Sequence, residues 1–261
     1  MKNASIFLAA ILFSSVISPA SGGQCSASSG KQRVALLELY TSEGCSSCPP
    51  ADEWLSRLPS EGLTSDRIVP LAFHVDYWNY LGWRDEFAQP NFSERQRQMA
   101  HINRSNFVYT PQLVLDGKDY RRGLIWDSTS ERVKEINRLK PLANISLTLS
   151  TPAQGKLHIS GKIVVPSASE RQNTEIYLAL YENNLSNDIK AGENSGHTLH
   201  HDFVVRELIG PVSIDSQGDA QIQQTFNLKP GWKLQDSGVA AFVQNNRSGD
   251  VLQALALAVC K

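Results

Sequence analysis

The change of hydrophobic texture at Pro141 is the feature that most constrains how this chain can fold. Over residues 33–140 apolar runs alternate with segments of helical spacing. Residues 35–40 and 67–75 are apolar without helical periodicity and read as buried strands. Between them, Trp54, Leu55 and Leu58 recur at helical spacing in a segment that Pro59 ends. A second helix is expected to open at Ser93, where Ser93 and Gln96 have capping-box spacing, and to run to about Ile102. Gln112–Leu115, the Asp116-Gly117 turn and a short return strand form a hairpin signal. A further capping box at residues 128–131 opens a helix expected to bury Val133, Ile136 and Leu139. Beyond Pro141 period-two alternation takes over: Ile145, Leu147 and Leu149 share one face, and so do Ile176, Leu178 and Leu180. Later runs at 203–205, 222–228, 239–243 and 251–259 make about seven short strands, the signal of an antiparallel sandwich.

Residues 1–20 read as a signal peptide: Lys2, an apolar stretch from Ile6 to Ile17, then Ser18-Pro19-Ala20 with small residues where a peptidase cuts. A lipidated Cys25 is disfavoured, because Gly22-Gly23-Gln24 lacks the apolar and small residues that such a site needs. No later stretch is long and apolar enough to span a bilayer. The mature chain is therefore expected in the periplasm or secreted, where disulfides persist, with no membrane insertion after signal removal. Twenty-five Lys and Arg against 26 Asp and Glu, interspersed, give no electrostatic reason to expect nucleic acid or anionic membrane as partner.

The chemistry concentrates at Cys45-Ser46-Ser47-Cys48, between the first strand and the first helix. Two cysteines two residues apart on a first helical turn can close a small disulfide ring, and the unpaired N–H groups there favour a thiolate on the leading one. Cys45, at the solvent-facing end, would attack a substrate disulfide and Cys48 would resolve the mixed disulfide. A static disulfide or a metal site are the alternatives, although a ring this short removes little loop entropy. Pro49 and Pro50 fall at early helical positions, whose N–H groups lack a helical partner.

The order of the first half, strand, dithiol helix, strand, helix, hairpin, helix, resembles the thioredoxin and glutaredoxin core. The segment 108–117, around Thr110-Pro111, resembles the part of that fold in which a cis-proline precedes a strand and faces the active-site disulfide. The resemblance implies a cis Pro111 opposite the dithiol and a Thr110 backbone open to an extended substrate. More closely, the strings 40–52, around the dithiol, and 74–83, from His74 to Trp83, resemble a secreted bacterial family of unknown function, numbered twelve twenty-three among such families. That resemblance covers nearly the whole mature chain and implies a thioredoxin-like half, export and an unassigned thiol activity. The expected fold class is thus an α/β thioredoxin/glutaredoxin-like domain over 31–140, followed by an all-β immunoglobulin-like sandwich over 141–261.

Other residues take candidate roles around the dithiol. Thioredoxins carry a buried acid on the strand before it, and Glu38 is the nearest candidate; an outward-facing glutamate is the alternative. His74 and Asp76 end the next strand on one face and could move protons, or could simply hydrogen-bond the loop that follows. In that loop Trp78 and Trp83 could line a substrate groove or pack the insertion onto the sheet. Cys25 and Cys260, the remaining even pair, are expected to form a structural disulfide. His197, His200, His201 and Asp202 invite a metal reading, but strand geometry separates them, and they read as solvated or packed. No metal and no cofactor is expected. The resulting expectation is an exported thiol–disulfide oxidoreductase, acting on protein or small-molecule disulfides or thiols with an unidentified electron-transfer partner. Ser46-Ser47 carries no cation to stabilise a thiolate, which favours a reductase or isomerase over a strong oxidant. The alternatives are a periplasmic soft-metal (copper) binder using the dithiol with His74, and a redox-inert structural or partner-binding protein.

Overall fold

The structure, a computed structural model, describes residues 23–121, 129–151 and 155–260; the expected signal peptide and Ser128 lie outside them. The first apolar run forms strand β2 (Ala35–Thr41), buried at every position, after a short arm strand β1 (Gln24–Ser28). Helix α1 (Pro49–Arg57) crosses over to β3 (Ile68–His74), which lies parallel to β2 from Ala35↔Ile68 to Thr41↔His74. On the other side of β2 runs β4 (Gln112–Leu115), antiparallel, with β5 (Lys118–Asp119) at the edge. Helices α2 (Pro90–Ile102) and α3 (Thr129–Asn137) complete this half.

The second half adds strands β6 (Asn144–Ser150), β7 (Lys156–Val164), β8 (Thr174–Glu182), β9 (Leu185–Asp188), β10 (Thr198–His201), β11 (Val204–Ser213), β12 (Asp219–Asn227), β13 (Ser237–Asn245) and β14 (Val251–Ala258). These strands do not make a separate immunoglobulin-like sandwich behind a thioredoxin-like domain, and the expected fold class is corrected here. One eight-stranded sheet, in the order β14-β13-β8-β11-β3-β2-β4-β5, runs through both halves of a mostly β chain. The seam is the parallel contact Val204↔Ala72, where the Ala72 N–H donates to the Phe203 carbonyl at 2.8 Å. Two residues earlier on the same edge Pro70 has no N–H to give, and beyond the seam Gln89 takes the carbonyls of His74 and Arg206, so the ladder is a single rung. Alternation in the sequence says which face a strand buries but not which neighbour it pairs with, and for that reason the joined sheet could not be read from it.

A second sheet, β1-β6-β7-β12, packs its apolar face onto β8 and β13, with Ile145, Leu147, Ile159, Leu178, Val239 and Phe226 in the shared core. Cys25 and Cys260 are joined by a disulfide that ties β1 to the chain beyond β14. Helix α2 covers the opposite face of the large sheet with Phe92 and Met99, against Leu36, Tyr40 and Phe73. Helices α1 and α3 sit on the other face of β2 and β3, burying Trp54, Leu55, Val133 and Ile136. Leu139, expected in the core, lies past the end of α3 and is 49% exposed. Helix α2 opens at Pro90, not at Ser93, because proline with its preset φ suits a first helical position. Ser93 and Gln96 are buried and serve other partners: Ser93 binds Asp76, and Gln96 donates to the Tyr109 carbonyl and to Gln112.

Candidate functional site

Strand β2 ends at Thr41, and the tight turn after it carries Cys45 and Cys48 to the start of α1, where they form a disulfide. Cys48 occupies the N-cap. Cys45 does not stand at the solvent-facing end as the sequence led us to expect: it is 1% exposed and Cys48 0%, while Ser46 and Ser47 are exposed. The cover comes from the far half of the chain, in the loop that joins β9 to β10. Asn194 donates from Nδ2 to the carbonyls of Glu43, at 2.8 Å, and of Cys45, at 3.1 Å, and Glu193 accepts the Ser46 N–H at 3.0 Å. The Ser46 hydroxyl and N–H together hold the exposed Glu193 carboxyl below its ordinary value, so it is an anion beside the dithiol turn. Gly192 and Gly196 take φ of +77° and +87°, conformations that side chains rarely adopt, and Gly192 lies against Trp83.

The aromatic loop after β3 brings the second functional segment to the dithiol. Trp78 backs onto Gly44, where an added Cβ would lie 3.1 Å from that of Trp78, and its Nε1 donates to Thr110 Oγ1 at 2.7 Å. The Thr110–Pro111 peptide is cis, and it extends β4 beyond the last pair of its ladder, Tyr40↔Gln112. Trp83 donates from Nε1 to Glu43 Oε2 at 2.8 Å, so both tryptophans are tied down, and the loop's exposed aromatic is Tyr80, at 78%.

Glu38 is not brought to the dithiol. Along β2, Leu36, Glu38 and Tyr40 face α2, whereas Leu37, Leu39 and Thr41 face α1. Glu38 forms a two-pronged ion pair with Arg95 of α2 at 2.7 and 2.8 Å and accepts the Tyr40 hydroxyl at 2.7 Å. The Arg95 guanidinium also lies over the rings of Tyr177 and Phe242. His74 and Asp76 part company too. Asp76 accepts from Ser93, while His74 Nδ1 pairs with Asp85 Oδ2 at 2.7 Å.

What gathers where the dithiol turn, α1 and the ends of β3 and β10 meet is a sealed polar cluster of Glu43, Asp52, His74, Asp85 and His201, all at most 5% exposed. Asp52 stands one helical turn after Cys48 and accepts from Thr41 Oγ1 at 2.9 Å. His201 Nε2 contacts Glu43 Oε1 at 3.2 Å, and Asn187 donates to the same oxygen at 2.9 Å. Burial pushes the Asp52 carboxyl above its ordinary value, despite the nearby imidazoles and the Thr41 hydroxyl. Burial opposes charge on His74, but Asp85, with Asp52 and Glu43 behind it, outweighs burial and raises the imidazole's pKa. Asp85 is held low in spite of burial by His74 and by the N–H groups of Glu43 and Phe87. Such a set can store protons or a cation, and Asp52 ties it to the dithiol turn through its N–H on the Cys48 carbonyl. Of the five, sequence reasoning singled out only His74 and missed Glu43, which a turn position suggests is solvated, together with Asp52, Asp85 and His201; Asp52, four residues after Cys48 on a helix, carried a local signal.

The pattern of one protein family, described as a protein of unknown function (DUF1223), matches residues 36–244. The chain belongs to the DUF1223 family. No curated protein matches this DUF1223 chain. Among solved structures it is similar to protein AGR_C_4864 from Agrobacterium tumefaciens, 26% identical, over 89% of this chain and 97% of that one, with a TM-score of 0.59. It is also similar to HBP35 of Porphyromonas gingivalis, 16% identical over 88% of this chain and 76% of that one, with a TM-score of 0.69, a likeness of fold alone. Two disulfides within one DUF1223 chain suit an extracytoplasmic location, and no helix among the described residues is long and apolar enough to cross a membrane.

Proposed function

We propose that this DUF1223 protein is a periplasmic or secreted thiol–disulfide oxidoreductase that works through Cys45 and Cys48 in the reducing or isomerising direction. The observation that carries the reading is the closed Cys45–Cys48 ring at the start of α1, with a cis Thr110–Pro111 peptide held to the same corner by Trp78. In the reduced form the Cys45 thiolate attacks one sulfur of a substrate disulfide, and the other sulfur leaves as a thiolate and takes a proton. Cys48 then attacks Cys45 in the mixed disulfide, the second substrate thiol departs, and the chain is left with its own disulfide, two electrons poorer. An external dithiol resets it. Thr110 and Pro111, beyond the β4 ladder, offer extended backbone to a substrate strand. The sealed cluster, with Asp52 one turn from Cys48, supplies and stores the protons that accompany the step.

Glu193 supports the direction. Its carboxylate takes the Ser46 N–H and sets a negative charge beside Cys45, which disfavours the thiolate and so favours the disulfide form. The test is a titration of the mature protein in dithiothreitol redox buffers, with alkylation and peptide mass identifying the free thiols. The reading expects Cys45 and Cys48 to titrate reversibly as a pair while Cys25–Cys260 stays bridged. A pair that never reduces, or never reacts in the unfolded-free native state, refutes it.

A further inference from the structure

We propose that Asp52, His74 and His201 form a buried binding site for one divalent transition-metal ion of the zinc class, close to the turn that carries the disulfide. Their donor atoms lie within 4.8 Å of one another, and the three residues are 5%, 0% and 2% exposed. Tetrahedral zinc, with bonds of about 2.0–2.1 Å, needs donors roughly 3.3 Å apart, so the three must draw in by on the order of an ångström. They come from three separate elements, α1, the end of β3 and the end of β10.

The state of the two imidazoles points to a ligand. His74 uses Nδ1 on Asp85 and His201 uses Nε2 on Glu43, which leaves His74 Nε2 and His201 Nδ1 buried with no hydrogen-bond partner among the described residues. A buried imidazole nitrogen without a partner is costly, and a metal ion removes that cost. The bonds outside the site are those that metal-bound histidines make. A carboxylate accepts the proton from the far nitrogen of each ring, which fixes the tautomer and turns the lone pair inward. Both carboxylates are themselves held: Asp85 accepts the N–H groups of Glu43 and Phe87, and Glu43 accepts from Trp83 and Asn187. Phe87 packs edge-on against both rings, at 5.2 and 5.7 Å between centroids, and so restricts their rotation. Two imidazoles and one carboxylate suit zinc-class ions more than soft copper(I), and three protein donors leave a fourth position for water.

This site shares Asp52, His74 and His201 with the proton store of the exchange reading but needs no thiol, so it is tested with both disulfides closed. Zinc is titrated calorimetrically into the oxidised mature protein, and cobalt(II) is added separately to read the geometry from its visible spectrum. The expected result is one ion per chain, a tetrahedral cobalt spectrum and a raised unfolding temperature. His74→Gln and His201→Gln should each weaken binding by roughly 100-fold or more, since a ligand counts for at least as much as an outer-shell partner. His197→Ala with His200→Ala, on the exposed side, should bind as the wild type does. Where a histidine variant fails to fold, Asp52→Asn takes its place. Absence of saturable binding to the oxidised wild type overturns the proposal, as does full binding in the folded ligand variants or loss of binding in the exposed double variant.

Discussion

Asn194 is the side chain through which the far half of the chain shuts the dithiol, and Asn194→Ala isolates that role. The wild-type amide makes two hydrogen bonds, to the carbonyls of Glu43 and Cys45. Each is worth about 0.5–1.5 kcal/mol net, so their loss shifts the balance between covered and uncovered disulfide by about 1–3 kcal/mol. At 1.4 kcal/mol per factor of ten, that is roughly a 5- to 150-fold larger open population. Because Cys45 and Cys48 are buried when the loop is down, a small thiol reaches them only in the open form. When opening and closing are fast, the rate of reduction follows the open fraction. The assay is the rate of reduction of Cys45–Cys48 by dithiothreitol under native conditions, with trapping by alkylation. Cys25–Cys260 serves as the internal control for global unfolding, and its rate should not change. A variant that reduces within a factor of about two of the wild type would refute the loop as the barrier.

Cys48→Ser should trap a mixed disulfide on Cys45 when a disulfide substrate is offered, seen as a stable mass adduct; turnover without an adduct would contradict the assignment of Cys48 as the resolving thiol. Glu38→Gln leaves Arg95 buried without its counter-charge and should cost about 3–5 kcal/mol in chemical denaturation. The redox midpoint of the folded variant should stay put, and a moved midpoint would return Glu38 to the chemistry. Burial raises the Asp116 pKa to about 6, against the opposing pull of Arg33. The native state thus holds this proton where the unfolded chain has lost it, so its contribution is full below about 3.8 and is lost as pH rises through about 6, on the order of 3 kcal/mol. Asp116→Asn should flatten that fall in stability between pH 4 and 6, and an unchanged slope would count against it.

Local features are legible in the order of the residues. The apolar run of β2, the dithiol at the entry to α1, the hairpin around Asp116-Gly117 and the alternation beyond Pro141 each follow from spacing over a few residues. The start of α2 was misread because two signals competed, and Pro90 at the first helical position prevailed over the capping spacing at Ser93. Tertiary structure alone decided which strands pair, since alternation fixes a strand's face and is silent on its neighbour; hence β11 joins β3 and one sheet spans both halves. It decided the site for the same reason. Asn194 meets Cys45 across 149 residues and His201 meets Glu43 across 158, separations over which no periodicity carries information. Glu38 shows the converse: its position in β2 was plain, but the side chain's partner, Arg95, lies on a helix packed against the face away from the sulfurs. A strand turns successive side chains to opposite faces, and what waits on each face is set only when the other elements dock.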